Sequence, residues 1–121
     1  MDVRLKSYRK EREKDITDKL YKGMVRAVAL VERQAKMNVS KTGDEHPQIQ
    51  SHQLWDSIGE HSKVEESGGN IVGTVGTHIE HGKYLEYGTV NMQPYPWLFP
   101  AIEEKRNDIK EALLDRGFSI D

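Results

Sequence analysis

Cysteine is absent from this chain of 121 residues, and no apolar run approaches the ~18 residues of a membrane-spanning helix. The lack of cysteine excludes disulfides, thiolate metal sites and a cysteine nucleophile. Neither sign of charge dominates, because 18 Lys and Arg residues face 20 Asp and Glu residues, for a formal net charge of -2. A general nucleic-acid binder needs a concentrated basic surface, so that class is disfavoured. The first residues are charged, and we expect a soluble protein made in a cytoplasm.

Hydrophobic residues are also scarce. They make up 36% of the chain, against 31% charged residues, and aromatic residues contribute only 7%. The length indicates a single domain, which should bury roughly two-thirds of the surface of its unfolded chain. So few apolar residues predict a thin core, a two-layer or extended shape, and some apolar surface that neighbouring subunits complete.

One long helix is predicted near the N-terminus, from about Lys6 to Asn38. Apolar residues recur there at spacings of three or four: Ile16, Leu20, Met24, Ala27, Val31 and Ala35. Gly23 lies inside this pattern and costs about 1 kcal/mol relative to alanine, so we expect a close helix or backbone contact at that position. Residues 1–14 carry mixed charges and are predicted as a solvated helix start that could project or be flexible.

A small antiparallel sheet of three or four strands is predicted after this helix. Residues His61–Glu66 alternate weakly, and Asn70–Thr77 are rich in β-forming residues. Gly68 and Gly69 between them indicate a hairpin. Tyr84–Tyr87 also alternate and end at a glycine, which favours a further strand or extended segment.

Two further helices complete the prediction. Ser51 is placed as the N-cap of a short helix that contains Leu54–Ile58. A C-terminal helix should begin at about Pro96 or Trp97 and end near Gly117, with a short tail after it. The expected fold class is α+β, with a long N-terminal helix and a C-terminal helix packed on the small sheet.

The segment from Tyr84 to Arg106 concentrates the rigid and aromatic residues. It holds three of the five tyrosines, three of the four prolines, one of the two tryptophans and one of the two phenylalanines. Prolines can fix this loop while aromatic residues dock the C-terminal helix, and aromatic anchors on a stiff loop lose little entropy on binding. We therefore predict a partner interface here. Its residues are Tyr84, Glu86, Tyr87, Gly88, Thr89, Tyr95, Pro96, Trp97, Phe99 and Pro100.

No catalytic constellation is recognisable, although several alternatives are open. His78, Glu80 and His81 could bind a metal with His61 or His46, as in a small hydrolase, but the spacing lacks a helical His-Glu-x-x-His pattern. Glu86, between apolar neighbours, could be a general acid. More simply, Glu86 turns outward on an edge strand or accepts hydrogen bonds from the backbone near Gly88 and Thr89.

Nucleic-acid binding has two possible locations. The region from Arg4 to Lys14 could act as a basic arm of a DNA-binding accessory protein, although glutamates dilute its charge. The aromatic residues of the Tyr84–Arg106 segment could stack single-stranded bases, but that mode needs a cationic groove, and only Lys83, Lys105 and Arg106 are nearby. We predict no enzyme, no cofactor, no metal, no membrane partner and no specific nucleic acid.

The same segment resembles a phage tail-component family whose type member is the tenth gene product of a lambdoid siphophage. The matching residues are Tyr84, Glu86, Tyr87, Gly88, Thr89, Pro96, Trp97, Leu98, Pro100, Ala101 and Ile102. Leu54, Ser57 and Ile58 match a second, shorter pattern of this family. The sequence departs from the family at Gly82-Lys83, where members often carry Tyr-Ala, and lacks their Thr-Gly before Leu54.

The resemblance implies a tail-completion or head–tail joining protein of a tailed phage or prophage. Such a protein caps the head-proximal end of a long tail, usually as a hexameric ring, and contacts the tail tube or terminator and the head connector. It would be located in the neck of the virion after assembly in the host cytoplasm, and an isolated subunit could be monomeric. A tail terminator and a head-completion protein are the neighbouring roles.

Overall fold

The computed structural model of the chain describes residues 1–7, 14–42, 48–67, 70–91, 93–114 and 118–120. Within these ranges the order of elements is β1 (Asp2–Ser7), α1 (Lys14–Thr42), α2 (Gln48–His61), β2 (Lys63–Ser67), β3 (Asn70–Gly76), α3 (Glu80–Tyr87), α4 (Phe99–Ala112) and β4 (Phe118–Ile120). Helices and one antiparallel sheet confirm the predicted α+β class.

The four strands are ordered β2-β3-β1-β4, and every neighbouring pair is antiparallel. β3 pairs with β2 and β1, and all of its residues after Asn70 are buried. Ser67 pairs with Asn70, which confirms the predicted hairpin, although its two glycines lie outside the described residues. β1 is inserted between β3 and β4, so the sheet joins the two ends of the described chain.

The prediction for the first residues was wrong, because residues 2–7 form a strand and the helix begins only at Lys14. Val3, Leu5 and Ser7 are buried while Arg4 between them is exposed, which is the two-residue period of a strand. Two apolar residues among charged ones are a weak sequence signal. Pairing with both β3 and β4 decides the structure, and this segment does not project. The predicted helix at positions 8–13 lies outside the described residues.

The third predicted strand was also wrong, because Tyr84–Tyr87 form the end of helix α3. The buried residues of this helix are Gly82, Leu85 and Glu86, spaced by three and one, so they lie on one helical face. Four residues are too few to distinguish the periodicity of a helix from that of a strand in the sequence. The sheet instead takes a strand from residues 118–120, which were predicted as a tail.

The helix ends differ from the prediction by a few residues. α2 begins at Gln48, so Ser51 is inside the helix and is not its N-cap. α4 begins at Phe99, later than predicted, with Pro100 in its first turn, where a missing backbone N–H is tolerated. α4 ends at Ala112, and the predicted cap Gly117 lies outside the described residues.

The core is formed where α1 packs across one face of the sheet. The predicted apolar stripe is confirmed from its second residue onward: Leu20, Met24, Ala27, Val31 and Ala35 are all buried. The side chain of Ile16 is not described. Among the helices of the described ranges, none has both the length and the apolar composition that a bilayer crossing requires.

α4 and α2 pack on opposite flanks of α1. Gly23 faces the backbone of Ala112 in α4, whereas Glu32 and Lys36 lie against Gly59 in α2. Gly23 and Glu32 are about 2.5 helical turns apart and therefore point in opposite directions. The contact at Gly23 confirms the predicted close approach, because a Cβ atom there would collide with the Ala112 carbonyl oxygen.

The substitution Gly23→Ala should therefore destabilise the protein by about 1–3 kcal/mol, as overpacking does. A helical glycine without such a contact would instead gain about 1 kcal/mol on the same change. The measurement is urea unfolding followed by far-UV circular dichroism, with Lys22→Ala on the exposed neighbouring position as control. A more stable Gly23→Ala variant would contradict this packing.

Candidate interaction surface

The carboxylate of Glu86 connects α3 to the start of α4. Its Oε1 atom accepts hydrogen bonds from the backbone N–H of Trp97, at 3.2 Å, and of Leu98, at 2.7 Å. Leu98 precedes the first residue of α4 and makes no capping bond with its own side chain. Glu86 therefore acts as a remote cap, and its negative charge lies at the positive end of the α4 dipole.

The position of Glu86 corrects the sequence prediction. Its side chain does not turn outward, because only 5% of the residue is exposed. Its hydrogen bonds go to the far end of the following loop and not to the backbone near Gly88 and Thr89. The Oε1 atom of Glu86 therefore serves the structure, because it accepts both backbone N–H groups.

Trp97 lies fully inside the subunit. Its indole Nε1–H donates to the carbonyl of Gly82 at 2.8 Å, and its own carbonyl accepts from Asn38 Nδ2 at 3.0 Å. Asn38 Oδ1 accepts in turn from Gln34 Nε2 at 3.1 Å. These buried bonds join α1, α3 and the start of α4 at one residue.

Two glycines make this junction possible. A Cβ atom on Gly82 would lie 2.6 Å from Thr77 Cγ2 and 2.9 Å from Leu54 Cδ1, so only glycine fits between α3 and its neighbours. Gly88 ends α3 with φ of 76°, a backbone conformation that side chains rarely adopt. Its N–H donates to the Tyr84 carbonyl at 2.7 Å.

The loop between α3 and α4 is closed at its base. The N–H of Tyr95 donates to the carbonyl of Leu85 at 2.6 Å, so the chain returns to α3 before Trp97 enters the core. Tyr95 is half-buried and packs against the core. The loop therefore leaves and rejoins the subunit at fixed points beside Glu86.

Large apolar side chains are exposed around this closed loop. We call this set the aromatic patch: Tyr84, Tyr87, Val90 and Phe99. The rings of Tyr87, which is 60% exposed, and Phe99 have centroids 6.3 Å apart at a tilt of 55°, an arrangement that aromatic pairs favour. A hydrogen bond from the Tyr84 hydroxyl to the Glu80 carboxylate, together with the charge of Glu80, raises the pKa of Tyr84. Grouped exposed apolar residues are typical of contact surfaces.

The structure divides the predicted interface residues into three groups. Tyr84, Tyr87, Thr89, Pro96 and Phe99 are exposed. Gly88, Tyr95 and Pro100 are half-buried, whereas Glu86 and Trp97 are buried and hold the others in place. The interface itself stays a prediction, and its accessible side chains are those of the first group.

Sequence reasoning missed two residues that build this surface. Asn38 is a polar residue on the buried side of α1, four positions after Gln34, and that placement was a signal for a buried hydrogen bond. Val90 is fully exposed at the loop tip and carries no such signal, because its exposure depends on how the loop is closed.

The alternative chemistries find little support in the part of the chain that the structure describes. There, no three His, Asp or Glu side chains lie close enough together to hold a metal ion, so His78, Glu80 and His81 form no such site with His61. His46 lies outside the described residues. Arg4, from the proposed basic arm, lies on β1, and positions 8–13 of that arm are not described.

The chain is a small α+β protein with a group of exposed aromatic and apolar side chains beside a closed loop. Comparison with protein families makes the class specific: residues 1–88 match the family described as "Bacteriophage HK97-gp10, putative tail-component". The match covers well over half of the chain, and the chain belongs to this family of phage tail components. No significant match was found among curated proteins or among solved structures. The family confirms the resemblance noted in the sequence and identifies a structural phage tail protein, located in the virion.

Replacing Glu86 tests the remote cap. Glu86→Ala leaves the buried N–H groups of Trp97 and Leu98 without their acceptor, and each such loss costs about 1–3 kcal/mol. Glu86→Gln keeps one acceptor oxygen and should cost clearly less. Urea unfolding gives the stability, and near-ultraviolet circular dichroism reports the surroundings of buried Trp97. Equal stability of the alanine variant and the wild type would contradict the capping role.

Proposed function

We propose that this tail protein completes the head-proximal end of the tail and joins it to the head connector, as one subunit of a ring. The observation that carries the proposal is the aromatic patch. Its side chains are exposed at the surface of the subunit, and buried contacts hold them in place. Tyr87 and Phe99 are already paired in the free subunit. Preformed aromatic anchors of this kind contribute strongly to interfaces because little freedom is lost on binding.

The family membership supports an assembly role, and the geometry supports a contact surface as the means. A joining protein acts through matched surfaces and needs no catalytic group. A ring is built from identical head-to-tail contacts that must close, so each subunit carries complementary surfaces. The proposed partners are further copies of this chain, the tail tube or tail terminator, and the head connector. The isolated subunit could be monomeric before it meets the tail.

Deleting the gene in the parent phage tests the role directly. Electron microscopy of the lysate should show DNA-filled heads beside free tails of normal length. Joined virions of normal appearance would overturn the proposal. Joined particles with tails of uncontrolled length would assign tail termination instead, and unstable or emptied heads would assign head completion.

Substitutions in the aromatic patch should separate the contact role from folding. Tyr87→Ser and Phe99→Ser change partly exposed side chains and remove the contact between their rings, so each should lower stability by only about 0.5–1.5 kcal/mol. Each should weaken joining about 30-fold, the effect of losing a hot spot of about 2 kcal/mol. Joining is measured by complementing heads and tails in extracts of the deletion mutant.

The matched control is Tyr21→Ser, which removes an exposed tyrosine of α1 outside the aromatic patch. This variant should join heads and tails as the wild type does. If Tyr87→Ser, Phe99→Ser and Tyr21→Ser all join heads and tails as efficiently as the wild type, the aromatic patch is not a contact surface.

A further inference from the structure

The outer surface of α1 carries a row of positive side chains. All of them are exposed, and their spacing of three, four and seven residues places them on one helical face. We call this set the cationic row: Lys19, Lys22, Arg26 and Arg33. Met24 and Val28 lie against Gly73 of the sheet, and Arg26 is two residues from each of them. Two residues turn a helix by about 200°, so the cationic row points away from the sheet.

α4 carries a row of the opposite sign on the same outer surface. Its members are exposed and spaced by four and three residues, and we call them the acidic row: Glu104, Asp108 and Glu111. The guanidinium of Arg106 lies 6.0 Å from the centre of the Phe118 ring in β4, and the first two members are each two residues from Arg106. Glu111 is two residues from Ile109, which is buried. The acidic row therefore also points away from the sheet and the core.

The other charged side chains near the two rows leave their opposite signs unchanged. Lys105 is half-buried and seven residues from Ala112, so it lies on the α1 side of α4, between the rows. Lys110 is two residues from Asp108 and points to the opposite side of α4. Asp18 is exposed near the start of α1 and leaves the cationic row with a net positive charge.

The two helices that carry the rows have a constant register. Gly23 of α1 contacts Ala112, and Asn38 contacts Trp97 just before α4. The same number of residues separates the two contacts on each segment, and the order is reversed. α1 and α4 are therefore antiparallel, and each residue of one can be assigned a level along the other.

The charges of the two rows are not paired inside the subunit. Among the described residues, no member of either row takes part in an ion pair. The ion pairs within α1 and α4 are those of Lys36 with Glu32 and of Arg106 with Glu103. A polyanion such as DNA would be attracted by the cationic row and repelled by the acidic row beside it. This surface fits a partner that carries the same two rows in exchanged positions.

We propose that this surface binds the same surface of a second copy of the chain, with the cationic row of each copy on the acidic row of the other. A half-turn about an axis between α1 and α4, parallel to both, lays α1 of the second copy over α4 of the first. This rotation keeps every residue at its level along the helices. Such a twofold contact is self-complementary, because each pair of residues occurs twice. It uses no residue of the aromatic patch and does not rest on the proposed function.

The register assigns the residues that meet in this contact. Extended along both helices, it brings each opposite charge within about two residues of the same level, or about 3 Å along the axis. Flexible Lys, Arg and Glu side chains span such an offset. The pairs between the copies are Lys22 with Glu111, Arg26 with Asp108, and Arg33 with Glu104.

Sedimentation equilibrium of the purified full-length protein tests the contact. A dimer should form at about 0.01 M salt and dissociate at about 1 M, because the Debye length falls from about 30 Å to about 3 Å. Arg26→Glu and Asp108→Lys should each weaken the dimer about tenfold, since one substitution changes both symmetric contacts. The double variant Arg26→Glu/Asp108→Lys restores opposite charges and should regain most of the lost affinity.

Two controls separate this contact from a general effect of charge. Arg26→Glu/Glu65→Lys has the net charge of the wild type, but Glu65 is exposed on β2, so this variant should stay as weak as Arg26→Glu. Lys110→Glu makes the same change of charge as Arg26→Glu on the other side of α4 and should leave the dimer unchanged. Circular dichroism checks that every variant is folded.

A protein that stays monomeric at about 1 mM in low salt would overturn the contact. A dimer that resists salt, or that Glu65→Lys restores as well as Asp108→Lys does, would overturn it too. Retardation of duplex DNA that Arg26→Glu abolishes, without a dimer, would assign the cationic row to a polyanion instead. The gene deletion reports separately on joining, so free tails from the deletion mutant leave the proposed function standing whatever the sedimentation shows.

Discussion

The hydrogen bonds from Trp97 and Leu98 to the carboxylate of Glu86 determine how the second half of the chain is arranged. A helix begins with N–H groups that have no partner inside the helix. At the start of α4, Phe99 and Pro100 provide no polar side chain that could cap it. Because the accepting oxygen belongs to α3, the start of α4 is fixed by the position of another helix and not by its local sequence.

α3 is itself positioned by the core, so the constraint extends through the molecule. Gly82 lets Trp97 and Leu54 pack against α3, and Asn38 of α1 binds the Trp97 carbonyl. The loop that carries Val90 therefore starts and ends at anchored residues. The exposed pairing of Tyr87 with Phe99 follows, because each residue lies beside an anchored one. The geometry of the exposed aromatic patch therefore depends on polar contacts that lie in the interior of the subunit.

Elements with a long periodic pattern could be predicted from the sequence. Short elements, and those that depend on distant pairing partners, could not. The stripe on α1 is confirmed from Leu20 to Ala35, and β3 is dense in β-forming residues, so both were predicted correctly over these residues. β1 shows two apolar residues among charges, and its pairing partners are distant in sequence. The Tyr84–Arg106 segment was recognised from its composition. Whether Trp97 or Phe99 is buried depends on where α4 begins, which Glu86 decides.

A buried carboxylate is a costly choice for a chain with so few apolar residues, since an unpaired buried charge is strongly destabilising. An apolar residue at position 86 would pack as well but would accept no N–H, and α4 could then start at more than one register. Two charge-assisted bonds to one oxygen are satisfied in a single arrangement. In the proposed ring, a single geometry is needed because an error in each contact angle would be repeated at every interface and would prevent closure. The buried charge thus favours one geometry of the aromatic patch.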